Sequence, residues 1–230
     1  MIELLQFRPL FGLMNASPFC MKVEVFLRLT GLPYRTVETQ PMRTPKGKLP
    51  VLRDEGRCIA DSEAIIDYLR TTYGARLPAA LAAPEPPAHL LLRRVIEEHL
   101  YFGALHFRWI DDAGASHTRA FFDAVPAPVR GAVFALVRRK IARDLRGQGL
   151  GRHEAATICA KACADLDALA ATLGDAPFFG GPEPAAIDAC AYAFLANLVR
   201  VPVDSPIKAH ALQCAPLMAY GERMRERVGA

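Results

Sequence analysis

The hydrophobic period of this chain changes character once, and that change limits what it can fold into. Through residue 74 the apolar positions switch repeatedly between two-residue alternation and a 3.6-residue period, as strands and helices in succession require. Beyond an Ala/Pro-rich stretch ending in Pro84-Glu85-Pro86-Pro87, only the helical period remains. The pattern predicts a mixed α/β domain over residues 1–74, a linker over 75–88 and an all-α domain over 89–230. With 230 residues, 52% of them apolar, the chain has enough material to bury a sizeable core.

In the first part the order of elements is β-α-β, then a β-hairpin, then a helix. Residues 2–7 read as a strand leading through a turn to Asn15-Ala16-Ser17-Pro18-Phe19-Cys20. Ser17 fits an N-cap and Pro18 the first helical position, and Val23, Phe26, Leu27 and Thr30 mark one face of the helix that follows. Gly31-Leu32-Pro33 ends it. Residues 34–38 read as a second strand. Leu49-Pro50-Val51-Leu52 and Arg57-Cys58-Ile59-Ala60 form a hairpin about Asp54-Glu55-Gly56. Asp61-Ser62 opens another helix with Ile65, Ile66 and Leu69 inward. This order is a thioredoxin-type arrangement.

The second part holds a long aromatic-rich helix over 91–112, a second from Pro126 and Pro128 to about Leu145, and a third over 154–173. Residues 187–199 are nearly all apolar apart from Asp188, so that helix runs through a domain centre. A short helix over 217–227 closes the chain.

Several function classes fall away on composition. The net charge is +4, and no Lys/Arg stripe is dense enough for a nucleic-acid partner. No apolar run reaches the length of a membrane span. Six cysteines are scattered without CxxC pairs and no signal peptide is apparent, which points to the cytoplasm. Cys159 and Cys163 lie four apart on one helix, but two ligands do not make a site, and no metal centre is expected. No phosphate-binding loop or GxGxxG is present.

The Ser17-Pro18 junction sets a hydroxyl beside unpaired backbone N–H groups, where a thiolate or another anion is stabilised. From local sequence alone, Ser17 could equally do no more than cap its helix.

Five motifs in order carry a family resemblance: N-A-S-P-F-C (15–20), P-K-G-K-L-P (45–50), I-A-D-S-E-A-I-I-D-Y-L (59–69), H-L-Y-F-G-A-L-H-F-R-W-I-D-D (99–112) and A-I-D-A-C-A-Y-A-F-L-A-N-L (186–198). Over essentially its whole length the chain resembles the glutathione transferase superfamily, and within it the metaxin and failed-axon-connections branch with its bacterial relatives. The resemblance implies a glutathione transferase fold: a thioredoxin-like domain followed by an all-helical one. It implies a cytosolic homodimer that joins the glutathione thiolate to a small hydrophobic electrophile, with no metal. A glutathione-dependent isomerase, peroxidase or dehalogenase on the same fold, and a non-catalytic adaptor, are the rival readings.

Residue by residue, the resemblance makes Ser17 the group that stabilises the glutathione thiolate. It makes the Leu49-Pro50 bond cis, so that the Leu49 backbone pairs with the cysteinyl unit. Ser62 and the helix N-terminus behind it would hold the γ-glutamyl carboxylate, Asp61 the γ-glutamyl ammonium, and Lys48 the glycyl carboxylate. The electrophile pocket would draw on Asn15, Phe19, Tyr101, Leu105, Arg108 and Trp109, with Asn15 an alternative donor to the sulfur. Cys20 reads as a packed core thiol, and His99 and His106 as structural histidines. One departure stands out: Ala185 occupies the position where the family carries a Ser or Thr cap three residues before the helical Asp, here Asp188.

Overall fold

Leu4, Val51 and Leu52 are fully buried, and Ile2 and Leu5 nearly so. Such runs suit strands covered on both faces. A computed structural model describes residues 1–229 and places them in a four-stranded sheet of order β2-β1-β3-β4. The strands are β1 (Ile2–Gln6), β2 (Tyr34–Glu38), β3 (Val51–Asp54) and β4 (Arg57–Ala60). β1 pairs parallel with β2 across the crossover helix α1 (Pro18–Thr30) and antiparallel with β3. β3 and β4 form a two-residue hairpin in which Asp54 faces Arg57 and the turn residues Glu55 and Gly56 both have positive φ. Helix α2 (Ser62–Tyr73) follows. The β-α-β-β-α order expected from the sequence is the order observed.

The remaining helices are α3 (Ala79–Ala82), α4 (Pro87–Val95), α5 (Tyr101–Trp109), α6 (Asp112–Thr118), α7 (Ala127–Gln148), α8 (Ala155–Leu173), α9 (Ala186–Val199), α10 (Pro206–Gln213) and α11 (Ala215–Val228). Three differences from the sequence reading have physical causes. The stretch 75–88 contains the helical turn α3, anchored by buried Leu81. The long aromatic helix begins earlier, at Pro87, and passes from α4 to α5 through a π-helical turn at Ile96–Leu100. It also stops at Trp109 instead of reaching Asp112. Asp111 there caps α6, its carboxylate accepting from Ala113 and Gly114 N–H (3.0 and 3.4 Å). Gly114 packs so tightly on the end of α5 that a Cβ would fall 1.8 Å from the Phe107 carbonyl oxygen. Arg138 donates to the carbonyls of Trp109 (2.8 Å) and Ile110 (2.6 Å), the groups a helix C-terminus leaves open.

The chain forms two compact units that do not follow its linear order. One holds Met1–Arg93, Leu173–Val201 and the chain from Ala219; the other holds Arg94–Thr172 and Pro202–Met218. In the first unit α9 packs along α1, with Phe19 and Phe194 edge to face at 5.1 Å. Residues Ile187 to Asn197 of α9 are all buried, as an apolar run through a domain centre should be. In the second unit Trp109 stacks on Phe121 (5.6 Å) and on Phe134 (6.4 Å). Among the described residues no helix is long and apolar enough to cross a membrane.

Candidate active site

The start of α1 is held by asparagines. Asn15, fully buried, donates from Nδ2 to the Phe7 carbonyl (2.6 Å) and accepts the Ser17 N–H on Oδ1 (3.0 Å). From α9, Asn197 donates to the Asn15 carbonyl (3.1 Å) and to the Ala193 carbonyl (3.1 Å). Each polar end of the Asn15 side chain thus has a partner within the loop, and the residue is fully buried. Asn197 is a positioning residue that sequence reasoning missed. A lone amide inside an otherwise apolar helix was the available signal, because a buried polar group needs a specific partner.

Ser17 follows with φ −95° and ψ 118°, the extended backbone of an N-cap. Its Oγ accepts from the Cys20 N–H at 3.5 Å, a long contact, and the residue is half-buried. Pro18 occupies the first turn, which carries no acidic side chain to offset the positive end of the helix. One turn on, Cys20 is fully buried, in a cluster with Leu5, Leu49 and Val51. Burial pushes its thiol up to about 12, against the opposing pull of Ser17. Cys20 is therefore a protonated core group, as its sequence context indicated.

The Leu49-Pro50 peptide is cis, and both residues are buried at the entry to β3. Lys48 is exposed, and its carbonyl accepts from the Thr44 hydroxyl (2.9 Å). At the start of α2, Asp61 is exposed with φ 101°, a region L-residues rarely adopt. Its Oδ1 accepts from the N–H groups of Glu63 (3.0 Å) and Ala64 (3.4 Å). Ser62 beside it is buried. A strained backbone at an exposed acid is worth reading functionally, since such strain persists only where the surroundings enforce it. Close by in sequence, Glu63 bonds buried Arg93 (2.5 Å), which also bonds Glu85 (2.7 Å), tying the first turn of α2 to the segment before α4. The sequence reading missed this triad.

Of the other expected pocket residues, Phe19 lies in the first unit against Phe194, and Tyr101, Leu105, Arg108 and Trp109 belong to the second. Tyr101 lies edge to face with Phe102 at 5.3 Å, and Leu105 is half-buried. Burial pushes the Arg108 guanidinium down to about 10, with Tyr101 acting in the opposite direction. Trp109 is engaged in the aromatic stack described above. His99 Nδ1 is 2.5 Å from the Asp165 carboxylate, a paired structural role, and burial pushes His106 down.

A parallel β-α-β unit, a β-hairpin and two polar helix starts define a thioredoxin-type domain. Residues 18–114 match the family model of the glutathione S-transferase N-terminal domain, and 162–224 that of the C-terminal domain. An isoprene-epoxide--glutathione S-transferase of Rhodococcus sp. (strain AD45) is 33% identical, with 99% of each chain covered. Failed axon connections of Drosophila melanogaster is 30% identical over 98% of this chain, which spans 57% of that protein's length. Metaxin-1 of Mus musculus is 28% identical over 91% of this chain and 69% of its own. The fold matches glutathione transferase F2 from Populus trichocarpa with a TM-score of 0.65 at 16% identity, covering 98% of this chain and 94% of that one. It also matches glutaredoxin 2 from Salmonella typhimurium in complex with glutathione, with a TM-score of 0.60 at 19% identity and coverage of 100% and 95%. The chain belongs to the glutathione S-transferase superfamily, with metaxin-like proteins among its relatives.

Proposed function

We propose that this protein binds glutathione on its first unit and conjugates the glutathione sulfur to a small hydrophobic electrophile, with Ser17 as the thiolate-stabilising group. The observation that carries this reading is the start of α1: a half-buried hydroxyl that accepts a long cap bond, at a helix whose first turn carries no acidic side chain. A hydroxyl accepting on its lone pair keeps its proton for donation. A free thiol titrates near ~8.5, so little thiolate exists at neutral pH until a donor and the helix dipole lower that value. Attack on an electrophile held beside the sulfur then proceeds by proximity.

The zwitterionic end of the tripeptide suits the start of α2. Ser62 would take the carboxylate, and the exposed Asp61 carboxylate, whose Oδ1 already caps the Glu63 and Ala64 N–H groups, would take the ammonium. Lys48 would face the glycyl carboxylate. Leu49 and Pro50 would form the edge along which the cysteinyl unit lies. The Rhodococcus relative, alike from end to end, supports an epoxide-type electrophile. Phe19 would border the sulfur, and Tyr101, Leu105, Arg108 and Trp109 would select the electrophile.

A second reading, a non-catalytic adaptor, is favoured by the likeness to metaxin-1 and Failed axon connections. Isothermal calorimetry with glutathione separates the two. Saturable binding followed by turnover of an epoxide or aryl halide supports the transferase; no heat at millimolar glutathione supports the adaptor.

A further inference from the structure

Away from the proposed glutathione site, side chains with ligand chemistry converge within the second unit. Helix α8 carries Cys159, Cys163 and Asp167 at successive four-residue steps, which a helix stacks along one side. His210 comes from α10, and Cys214 is the C-cap of that helix. His210 Nε2 lies 2.7 Å from Asp167 Oδ1, and the ligand atoms of Asp167, His210 and Cys214 all lie within 4.8 Å of one another. The Cys159 and Cys163 sulfurs are 3.8 Å apart. Sequence spacing links only the two cysteines of α8, because His210 and Cys214 stand far along the chain.

We propose that Asp167, His210 and Cys214 form a binding site for a divalent transition cation of the zinc class, with the fourth position left to water. The donors are one carboxylate, one imidazole and one thiol, the mixture that borderline-soft zinc accepts. Tetrahedral bonds of about 2.0–2.3 Å would put donor atoms about 3.3–3.8 Å apart, so the observed group needs only small side-chain rotations to close. Access and order are both provided: Asp167 is exposed, while His210 and Cys214 are half-buried and fixed on packed helices. On binding, the ligating thiol would give its proton to solvent. Bound metal would join α8 to α10 and to the segment that begins α11.

The test uses the full-length reduced protein, freed of chelators and of glutathione, titrated with Co2+ and then Zn2+. Co2+ should produce thiolate-to-cobalt charge-transfer absorption and intense visible bands of tetrahedral coordination, saturating at a single equivalent, and Zn2+ should abolish both. Cys214→Ser should remove the charge-transfer band, and both Cys214→Ser and His210→Ala should weaken Zn2+ binding at least about tenfold against a chromophoric chelator. Cys58→Ser, on an exposed thiol of β4, should change neither. No charge-transfer band in the unaltered protein, or Zn2+ affinity unmoved by Cys214→Ser, overturns the proposal and leaves an ion pair beside unrelated thiols. The cobalt spectrum is read on the unaltered chain, so the result holds even if a variant folds poorly.

Discussion

Helices α1 and α9 lie side by side in the first unit, yet their N-termini are finished in opposite ways. At α9 the fully buried Asp188 carboxylate accepts the N–H groups of Phe179 (2.8 Å), Gly180 (2.9 Å) and Ala185 (2.9 Å). The Tyr220 hydroxyl donates to the Asp188 carbonyl (3.1 Å). That terminus is closed, and its chemistry is spent internally. At α1 the side-chain cap is the long bond from Cys20 N–H to Ser17 Oγ, at a half-buried position. A helix start is a site only where its polarity is left over for a guest. The contrast predicts that damage at α9 acts on stability and damage at α1 on chemistry.

The largest effect should come from Asp188→Ala, which strands three partly buried backbone donors. Each unsatisfied group costs about 1–3 kcal/mol, so a loss of roughly 3–5 kcal/mol is expected in denaturant unfolding. Gly180→Ala should fail for a steric reason, since its Cβ would meet Ala185 N and Glu183 O at 2.6 Å, and backbone cannot yield cheaply. If Asp188→Ala unfolds at the wild-type midpoint, the closed terminus is not what holds α9 in place.

Ser17→Ala turns the comparison to catalysis. A hydrogen bond to a charged group contributes about 1.5–3 kcal/mol, so kcat/KM for conjugation should fall roughly 10- to 150-fold. Glutathione affinity should stay within about threefold, and stability should drop by about 1 kcal/mol for the lost cap. Steady-state kinetics with an aryl halide, paired with calorimetry, reads all three. Unchanged turnover would reduce Ser17 to a cap and make α1 the structural equal of α9.

What the sequence made readable follows the reach of its signals. Ser17-Pro18, Gly31 and Asp61 are local punctuation, and the helices they bound fall where that punctuation puts them. The hairpin was readable because Glu55-Gly56 suits a two-residue turn. Helix α10 was missed: its eight residues, Pro206–Gln213, carry no continuous apolar stripe. The break between α5 and α6 depends on Arg138, from α7, and on the fit of Gly114 against Phe107, which no local pattern announces. The candidate site divides in the same way. Ser17, Asp61 and Ser62 are next to their own helix starts and could be named, whereas the bonds that tie Asn15 to Phe7 and Asn197 join separate parts of the chain and have no local signal.

Asp61 offers a way to sharpen the contrast, because a single residue there both caps a helix and is proposed to hold ligand. Asp61→Gly relieves the φ of 101° and, as a cap, costs only a few tenths of a kcal/mol. Stability should therefore be unchanged or slightly raised. The glutathione dissociation constant should still rise about tenfold, the equivalent of one ammonium–carboxylate contact near 1.4 kcal/mol. Calorimetry that finds wild-type affinity in this variant would assign the strain at Asp61 to the fold alone.

The smallest effect is a gain, and it tests whether the start of α9 is fully closed. Ala185 has φ −107° and ψ −177°, an extended backbone suited to an N-cap, but no side-chain oxygen; the Asp188 N–H instead reaches the Ala185 carbonyl at 3.0 Å. Ala185→Ser places a hydroxyl within reach of that N–H and completes the reciprocal pair with the Asp188 carboxylate. A gain of about 1 kcal/mol is expected, read as a Tm rise of about 2–4 °C, with glutathione affinity and turnover unchanged. No gain would mean that Asp188 already saturates this terminus, so that α9 differs from α1 in having no capacity left for any further partner.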